Sequence, residues 1–234
     1  GYSPKVVKRG MCQEVVHTDD ADLMTLPILQ CWPHDGDLAS EPAELSATTP
    51  VREAVGAQGR TGRYITLGGI CTKDPDTGDR NLGMYRVQVF GPKLAAMHWH
   101  MHHDGARHYR KYAARGERMP LAIALGGESV LPYAATCPLP PSVSEFMFAG
   151  FLNDGAIELV PAVTVPIEVP ANAEIVIEGW VDPVERFTEG PFGDHTGFYS
   201  LSGPYPVFHV TAITHRRSPI YPATIVGKPP MEDY

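Results

Sequence analysis

The stretch EIVIEGWV, residues 174–181, is short, rich in Val and Ile, and follows closely on Asn172. Runs of this kind, bounded by Gly, Pro or Asn, predict β-strands. Seven further segments share the pattern: YITLGGI (64–70), MYRVQVF (84–90), LAIAL (121–125), AIELV (156–160), TVPIEV (164–169), VFHVTAITHR (207–216) and PIYPATIV (219–226). The number of short strands favours a barrel or a sandwich.

Two segments break the strand pattern and predict helices. Residues 104–115 begin at Asp104 and are followed by Gly116, which suits a helix end. Residues 142–152 carry apolar side chains at the i, i+3, i+4, i+7 and i+8 spacing of a helix face: Val143, Phe146, Met147, Gly150 and Phe151. The sequence therefore predicts an α+β fold, a β-barrel with a few packed helices.

Composition excludes some classes of function. The 234 residues carry 27 acidic and 19 basic side chains, a net charge of −8, which argues against a nucleic-acid-binding surface. The four cysteines are scattered without a CxxC pair, which argues against a zinc ribbon or a dense disulfide scaffold. With no signal-peptide pattern and no long apolar run, we expect a cytoplasmic protein without a membrane span.

The stretch MHWHMHHDGARH, residues 97–108, holds five histidines. His98, His100 and His102 would share one face of a strand, while His98 and His102 lie one helical turn apart. Either geometry suits a metal, so the cluster alone does not decide how many imidazoles are ligands, and a histidine-rich zinc protein stays open at this point.

A second candidate is EGPFGDHTGFYS, residues 189–200. Its Gly and Pro residues predict a shaped loop that carries Glu189 and Asp194. Two carboxylates in unequal environments could work as an acid/base pair. The alternative is a solvated turn in which Asp194 and Thr196 make local hydrogen bonds.

Arg86 and Glu145 also allow two interpretations each. On a strand MYRVQVF, a core-facing Arg86 would need an anionic partner, whereas a solvent-facing one would simply be exposed. Ser142 and Glu145 have the S-x-x-E spacing of a capping box ahead of an apolar helix, and the local pattern favours a cap. Walker, GxGxxG, GxSxG and HExxH motifs are missing from the sequence.

Six ordered motifs resemble the UbiD-like decarboxylase family over about residues 62–234: RNLGMYR, MHWHMHHDGARHY, LPPSVSEFMFAGFL, LVPAVTVPIEVPANAEIVIEGWV, EGPFGDHTGFYS and PVFHVTAITHRRSPIYPATIVGKPPMED. The resemblance implies a split β-barrel of the flavin-binding type. It also implies the reversible, non-oxidative decarboxylation of an aromatic or α,β-unsaturated acid by prenylated FMN.

The resemblance carries site residues over by position. A divalent ion, Mn²⁺ or Mg²⁺, would be held by Asn81, His102 and Glu145, with K⁺ beside it, so His102 alone of the five histidines would be a ligand. An oxygen-rich set of this kind suits these hard ions. The expected cofactor-binding residues are Asn81, Met84, Tyr85, Arg86, Gln88 and His102.

The catalytic residues implied by the resemblance are Arg86, Glu189 and Asp194. Arg86 would bind the substrate carboxylate, Glu189 would donate the proton, and Asp194 would tune the network. Asp194 stands where some members have Glu, and so has a shorter reach.

The expected partners are the substrate acid, a flavin prenyltransferase that supplies the cofactor, and further copies of the full-length enzyme. We expect residues 1–61 to be an N-terminal connecting segment with an insertion at 39–61, partly helical near Val51–Val55, and 62–234 to be the cofactor-binding domain. The family's C-terminal domain is expected to lie outside this chain. The alternative is therefore a core domain that binds cofactor and metal but is inactive without the rest of the enzyme.

Overall fold

A computed structural model of the chain describes residues 2–41, 60–99, 104–140 and 143–232. The strands in these ranges are β1 (Lys5–Val6), β2 (Val15–His17), β3 (Tyr64–Ile65), β4 (Gly69–Lys73), β5 (Arg80–Met84), β6 (Val87–Val89), β7 (Leu94–Met97), β8 (Met119–Leu125), β9 (Glu158–Pro161), β10 (Glu168–Pro170), β11 (Ile175–Glu189), β12 (Phe192–Gly193), β13 (Tyr199–Ser200) and β14 (Gly203–His215). The α-helices are α1 (Asp104–Ala114), α2 (Val130–Thr136) and α3 (Glu145–Leu152). Short 3-10 helices lie at Met11–Gln13, Leu23–Thr25 and Leu38–Ser40.

One large antiparallel sheet dominates the described residues. Its strand order is β3-β6-β7-β14-β11-β8-β4-β5, with β2 added on β14, and it curls into half of a barrel. A small sheet, β1-β9-β10, and a hairpin, β12-β13, complete the strands. The predicted α+β class, a split β-barrel with a few packed helices, is confirmed.

Both faces of the central strands are buried. In β11, Ile175 and Ile177 pack into one core, which also holds Ala106 and Tyr109 of α1. Val176, between them, packs into a second core with residues of α2, α3 and the small sheet. Because successive strand residues point to opposite faces, a strand covered on both sides has consecutive apolar residues, as at positions 175–177 within EIVIEGWV.

The long pairing between β11 and β14 contains two irregularities, between Glu178 and Gly179 and between Val181 and Arg186. A β-carbon at position 179 would lie 2.0 Å from the carbonyl oxygen of His209, so only glycine fits there. Such irregularities bend a strand and increase its twist. They allow the sheet to curl and direct the end of β11 away from the centre of the sheet.

Three strand predictions are corrected. YITLGGI is not one strand, because β3 ends at Ile65 and pairs with β6, whereas β4 begins at Gly69 and pairs with β5 and β8. MYRVQVF is not one strand, because the chain leaves β5 after Met84 and begins β6 at Val87, where it pairs with different neighbours. PIYPATIV forms no strand. Its contacts are made with side chains instead, since Thr66 Oγ1 donates to the carbonyl of Thr224 at 2.8 Å and Trp32 Nε1 donates to that of Val226 at 2.8 Å.

The first predicted helix is found at Asp104–Ala114, with Gly116 at φ +66° just beyond it. The second begins three residues later than predicted, at Glu145, and buries Phe146, Ala149 and Gly150 while Phe151 is 59% exposed. Helix α2 was not predicted, because it is short and contains Pro132. The interpretation of Val51–Val55 lies outside the described residues.

All four cysteines are free, as their spacing predicted. Burial raises the pKa of Cys12 and Cys71 to about 12, so neither thiol is a nucleophile at neutral pH. No helix in the described ranges is long and apolar enough to span a bilayer.

The two-sided burial of β11 makes a stability prediction. Ile177→Ala should lower the free energy of unfolding by about 2–5 kcal/mol, because the side chain is fully buried and its removal leaves a cavity. Val184→Ala on the same strand, where the side chain is 56% exposed, should change it by less than about 0.5 kcal/mol. Urea unfolding of both variants measures the difference, and equal losses would contradict this packing.

Candidate active site

Three breaks in the sheet bring polar side chains together. Arg86 lies in the corner between β5 and β6, His98 directly follows β7, and Glu189 is the last residue of β11. A side chain at the end of a strand can turn out of the pleat, and here all three turn towards one another. The strand break that the sequence did not predict is therefore the feature that directs Arg86 to the site.

Arg86 and Glu189 form a buried, two-pronged ion pair. The Nε of Arg86 donates to Oε1 of Glu189 at 2.8 Å, and Nη2 donates to Oε2 at 3.2 Å. The Arg86 side chain is 11% exposed and that of Glu189 is 0% exposed. Of the two interpretations of Arg86, the structure supports the buried cation with an anionic partner.

The pair shifts both ionisations. Burial raises the pKa of Glu189, but the hydrogen bond from His98 and the charge and hydrogen bonds of Arg86 outweigh it, so the pKa falls to about 2. Burial likewise lowers the pKa of Arg86, and the charge and hydrogen bond of Glu189 raise it above its ordinary value. Glu189 is therefore ionised in this state and cannot serve as an acid until its partners change.

His98 is a site residue that the sequence analysis did not identify. Its Nδ1 lies 2.8 Å from Oε2 of Glu189, and because a carboxylate only accepts, the imidazole donates. Its ring stacks on Tyr205 of β14, with centroids 4.2 Å apart. The only signal was its place in the histidine-rich stretch. Of the other four histidines there, His108 contacts Thr72 Oγ1 at 2.9 Å, and His100, His102 and His103 lie outside the described residues.

The loop after Glu189 is shaped as its composition predicted. Gly190 has a φ of +89°, which favours glycine. Its amide donates to Gln88 Oε1 at 2.9 Å. A β-carbon at Gly193 would lie 2.0 Å from the ring of Trp32, and the Gly193 amide donates to the buried Asp35 Oδ1 at 2.7 Å. The loop is thus held by the N-terminal segment as well as by the sheet.

Asp194 makes a local turn contact and also lies beside Arg86. Its Oδ1 accepts from the backbone amide of His195 at 2.8 Å, a local turn contact. Its Oδ2 lies 3.7 Å from Arg86 Nη1, an ion pair that is too long for a hydrogen bond. Burial raises the pKa of Asp194, but the hydrogen bonds from His195 and the charge of Arg86 lower it overall.

Arg86 has two further contacts within the same loop. Its Nη2 donates to Ser200 Oγ at 3.0 Å, and its guanidinium lies 4.6 Å from the centre of the Phe192 ring. Ser200 and Phe192 belong to the hairpin β12-β13. Both stand in the motif EGPFGDHTGFYS, so the motif, read as a whole, was the signal for them.

The expected metal ligands are only partly described. Glu145 is not a capping residue in the predicted sense, because Ser144 caps α3 by accepting from the Phe146 amide, and Ser142 lies outside the described residues. Instead, Glu145 Oε2 accepts from the Leu82 amide at 3.0 Å, which places the carboxylate beside Asn81. His102 lies outside the described residues, within which no group of three His, Cys, Asp or Glu side chains is arranged to hold a metal ion by itself.

Asn81 and Glu145 face common space. Together they line a cavity of about 520 Å³, whose walls also include Met84, Tyr85 and Pro138, and a neighbouring one of about 370 Å³. The Nδ2 of Asn81 is buried and has no hydrogen-bond partner among the residues that the structure describes. A 180° rotation of that amide would place its oxygen there, which is the kind of ligand that Mn²⁺ and Mg²⁺ prefer. The described part of the expected ligand set therefore fits a hard divalent ion.

Gln88 lies away from that cavity's walls and is fully buried. Its Oε1 accepts from Gly190 and its Nε2 donates to the carbonyl of Thr61 at 2.8 Å, so both ends of the amide bind the backbone. The side chain that the resemblance assigns to the cofactor holds the acid-bearing loop in place.

Comparison with known proteins identifies the family. The family model described as UbiD, the 3-octaprenyl-4-hydroxybenzoate carboxy-lyase Rift-related domain, matches residues 5–229. The chain belongs to the UbiD family. An uncharacterized protein of Aquifex aeolicus is 51% identical over 98% of this chain and 42% of its own length. One of Archaeoglobus fulgidus is 47% identical over 99% of this chain and 43% of its own length, so the chain spans less than half of these relatives.

Solved structures agree with this assignment. Vanillic acid decarboxylase of Sedimentibacter hydroxybenzoicus, in its closed form, superimposes with a TM-score of 0.83 at 30% identity, over 97% of this chain and 44% of that one. An evolved dimeric form of the UbiD-class enzyme HmfF from Pelotomaculum thermopropionicum, in complex with prFMN, gives 0.77 at 32%, over 94% and 47%. The fold is shared with these enzymes.

The ion pair predicts an acid-dependent loss of stability. The pKa of Glu189 falls from 4.5 to about 2 on folding. The ion pair's contribution to the free energy of unfolding is therefore fully present above about pH 4.5 and is lost as the pH falls through about 2. A shift of this size corresponds to about 3 kcal/mol. Urea unfolding between these pH values should show a shallower pH dependence in Glu189→Gln than in the wild type.

Glu117→Gln, which removes an exposed acid, is the control and should keep the wild-type pH dependence. If the free energy of unfolding of Glu189→Gln fell in acid as steeply as that of the wild type, Glu189 would not be held ionised by its partners.

Proposed function

We propose that the protein to which this chain belongs decarboxylates an aromatic or α,β-unsaturated carboxylic acid, reversibly and without oxidation, using prenylated FMN. The observation that carries the proposal is the buried cluster of Arg86, Glu189 and His98 at the strand ends. Membership of the UbiD family and similarity to structures described as decarboxylases and as complexes with prFMN support it.

The cofactor supplies an electron sink for the carbon that loses CO₂, which no side chain can provide. Arg86 binds the substrate carboxylate, since its planar fork matches the two oxygens. The same fork now holds Glu189, so the substrate competes with Glu189 for Arg86. Withdrawal of the cation allows the pKa of the buried Glu189 to rise, because burial disfavours its charge. Protonated Glu189 then delivers its proton to the carbon.

His98 and Asp194 act through Glu189 and Arg86. His98 Nδ1 donates to Oε2 of Glu189, which makes it the nearest group through which the carboxylate can regain a proton. Asp194 competes weakly for the Arg86 cation from 3.7 Å and so tunes how firmly Arg86 holds Glu189.

Asn81, His102 and Glu145 are the residues that would hold a Mn²⁺ or Mg²⁺ ion, with K⁺ beside it. Two observations support this assignment: the buried Nδ2 of Asn81 has no partner within the described ranges, and Asn81 and the carboxylate-bearing Glu145 line common cavities. The ion would bind the phosphate of the flavin. Met84 and Tyr85, on the wall of the larger cavity, would contact the cofactor.

The partners proposed for the full-length protein are a flavin prenyltransferase, which supplies the cofactor, and further copies of the same chain, in a cytoplasmic enzyme. The alternative is a cofactor-binding core domain that is inactive without the rest of the enzyme. One observation supports it: this chain covers only 42% of the length of the Aquifex relative. Assaying this chain and the full-length protein side by side distinguishes the two.

The test of the reaction is Glu189→Gln in the full-length protein. With an aromatic acid that the wild type decarboxylates, we expect the rate to fall by at least about 10²-fold while the flavin stays bound, because glutamine cannot donate the proton. Glu185→Gln is the matched control, since this residue lies on the same strand and also contacts a histidine, His209, at 2.6 Å. Near-normal activity in Glu189→Gln with flavin bound would show that another group delivers the proton.

Arg86→Lys is expected to fail for a different reason. An ammonium is a point charge and cannot hold two carboxylate oxygens in one plane. We expect KM for the acid to rise and kcat to fall in steady-state assays. Wild-type values of both would contradict the proposed role of Arg86.

The metal assignment is tested by Glu145→Gln. Glutamine can still accept from the Leu82 amide, so the fold should be kept, but the loss of charge should lower the retention of Mn²⁺ and flavin by about ten-fold or more. Metal analysis and the flavin absorbance of the purified protein measure this. Glu128→Gln, which removes a carboxylate that contacts Asn172, should retain both, and equal retention in the two variants would contradict the assignment.

A further inference from the structure

Two histidines far from the proposed active site meet across the large sheet. β2 pairs with β14 so that His17 is opposite Ile213 and His215 is opposite Val15. The two histidines are therefore diagonal neighbours on one face. Their Nε2 atoms lie 3.2 Å apart, and their ring centroids lie 5.3 Å apart.

The opposite nitrogen of each ring is already engaged. Nδ1 of His215 lies 2.5 Å from the carbonyl oxygen of Arg216, and a carbonyl only accepts. Nδ1 of His17 lies 2.7 Å from Oδ2 of Asp20, and the hydrogen bond from His17 lowers the pKa of Asp20, which keeps it ionised. Both Nδ1 atoms therefore carry hydrogen, so in the neutral rings both Nε2 atoms present a lone pair.

Two lone pairs that face each other at 3.2 Å repel unless a cation lies between them. Two nitrogens that each lie about 2.0–2.1 Å from a tetrahedral zinc are about 3.4 Å apart, close to the spacing seen here. An imidazole whose second nitrogen donates to a carboxylate or a carbonyl is also the usual arrangement of a histidine that ligates a metal.

We propose that His17 and His215 form a binding site for a divalent transition metal, with Zn²⁺, Ni²⁺ or Cu²⁺ as the ions that imidazole prefers. Asp20 and the Arg216 carbonyl orient the ligands, and water completes the coordination, since the His17 side chain is 37% exposed. The ion ties β2 to β14, and with it the N-terminal segment to the centre of the sheet. This site is independent of the proposed decarboxylation and, with two nitrogen ligands, differs from the oxygen-rich set around Asn81.

The test is calorimetric titration of ZnCl₂ into the chelator-treated full chain at pH 7.5, where free imidazole is largely neutral. The wild type should bind one more equivalent of Zn²⁺ than His17→Gln or His215→Gln. MnCl₂ should not show this difference, because Mn²⁺ prefers oxygen ligands. His34→Gln is the matched control, since His34 also faces a carboxylate three residues on, Asp37, at 3.5 Å.

A second variant guards against misfolding. Asp20→Asn changes an exposed side chain and should leave the circular-dichroism spectrum unchanged while weakening Zn²⁺ binding by about 10–100-fold. Equal Zn²⁺ binding by the wild type and both histidine variants would overturn the proposal. The proposal would also be overturned if the wild type bound no Zn²⁺. If the histidine variants then changed only the acid dependence of unfolding, the two rings would share a proton instead of a metal ion.

Discussion

The pairing of β11 with β14 is the constraint on which the rest of the structure depends. β11 also pairs with β8, and β14 also pairs with β7 and β2, so these two strands join the two halves of the sheet. Their irregular register requires Gly179 and bends the sheet. β11 ends at Glu189, which is still paired with Gly203 of β14 and whose carboxylate meets Arg86 in the corner between β5 and β6, so the site lies at the end of this strand pair.

Replacing a whole buried ion pair with well-packed apolar side chains is often neutral for stability, because removing two charges from water costs about as much as their attraction returns. The importance of this pair lies in how the ionisation of one partner changes when the other is withdrawn. Glu189 is fully buried, so it stays ionised only while Arg86 and His98 hold it. Under the proposed function, a substrate carboxylate that engages Arg86 would raise the pKa of Glu189. The arrival of the substrate would then be coupled to the availability of a proton.

Much of this could be predicted from the sequence, because strands buried on both faces leave an unmistakable apolar pattern, as in EIVIEGWV. The predicted α+β barrel and the glycine-shaped loop after Glu189 follow from such local signals. The rest depends on long-range contacts. PIYPATIV has the composition of a strand, but it forms hydrogen bonds with the side chains of Thr66 and Trp32. His98 forms a hydrogen bond with Glu189, which lies 91 residues away along the chain. The break at Tyr85–Arg86 has no local signal either, since the two halves simply pair with different strands.

Arg60 links two parts of the chain that are distant in sequence. Its Nε donates to the carbonyl of Gly36 at 2.6 Å, and its other nitrogens donate to the carbonyls of Thr188 and Gly190. Thr188 and Gly190 stand on either side of Glu189, so one guanidinium joins the N-terminal segment at Gly36 to the backbone on both sides of that carboxylate. Any displacement of the N-terminal segment would therefore be passed directly to the backbone that carries Glu189.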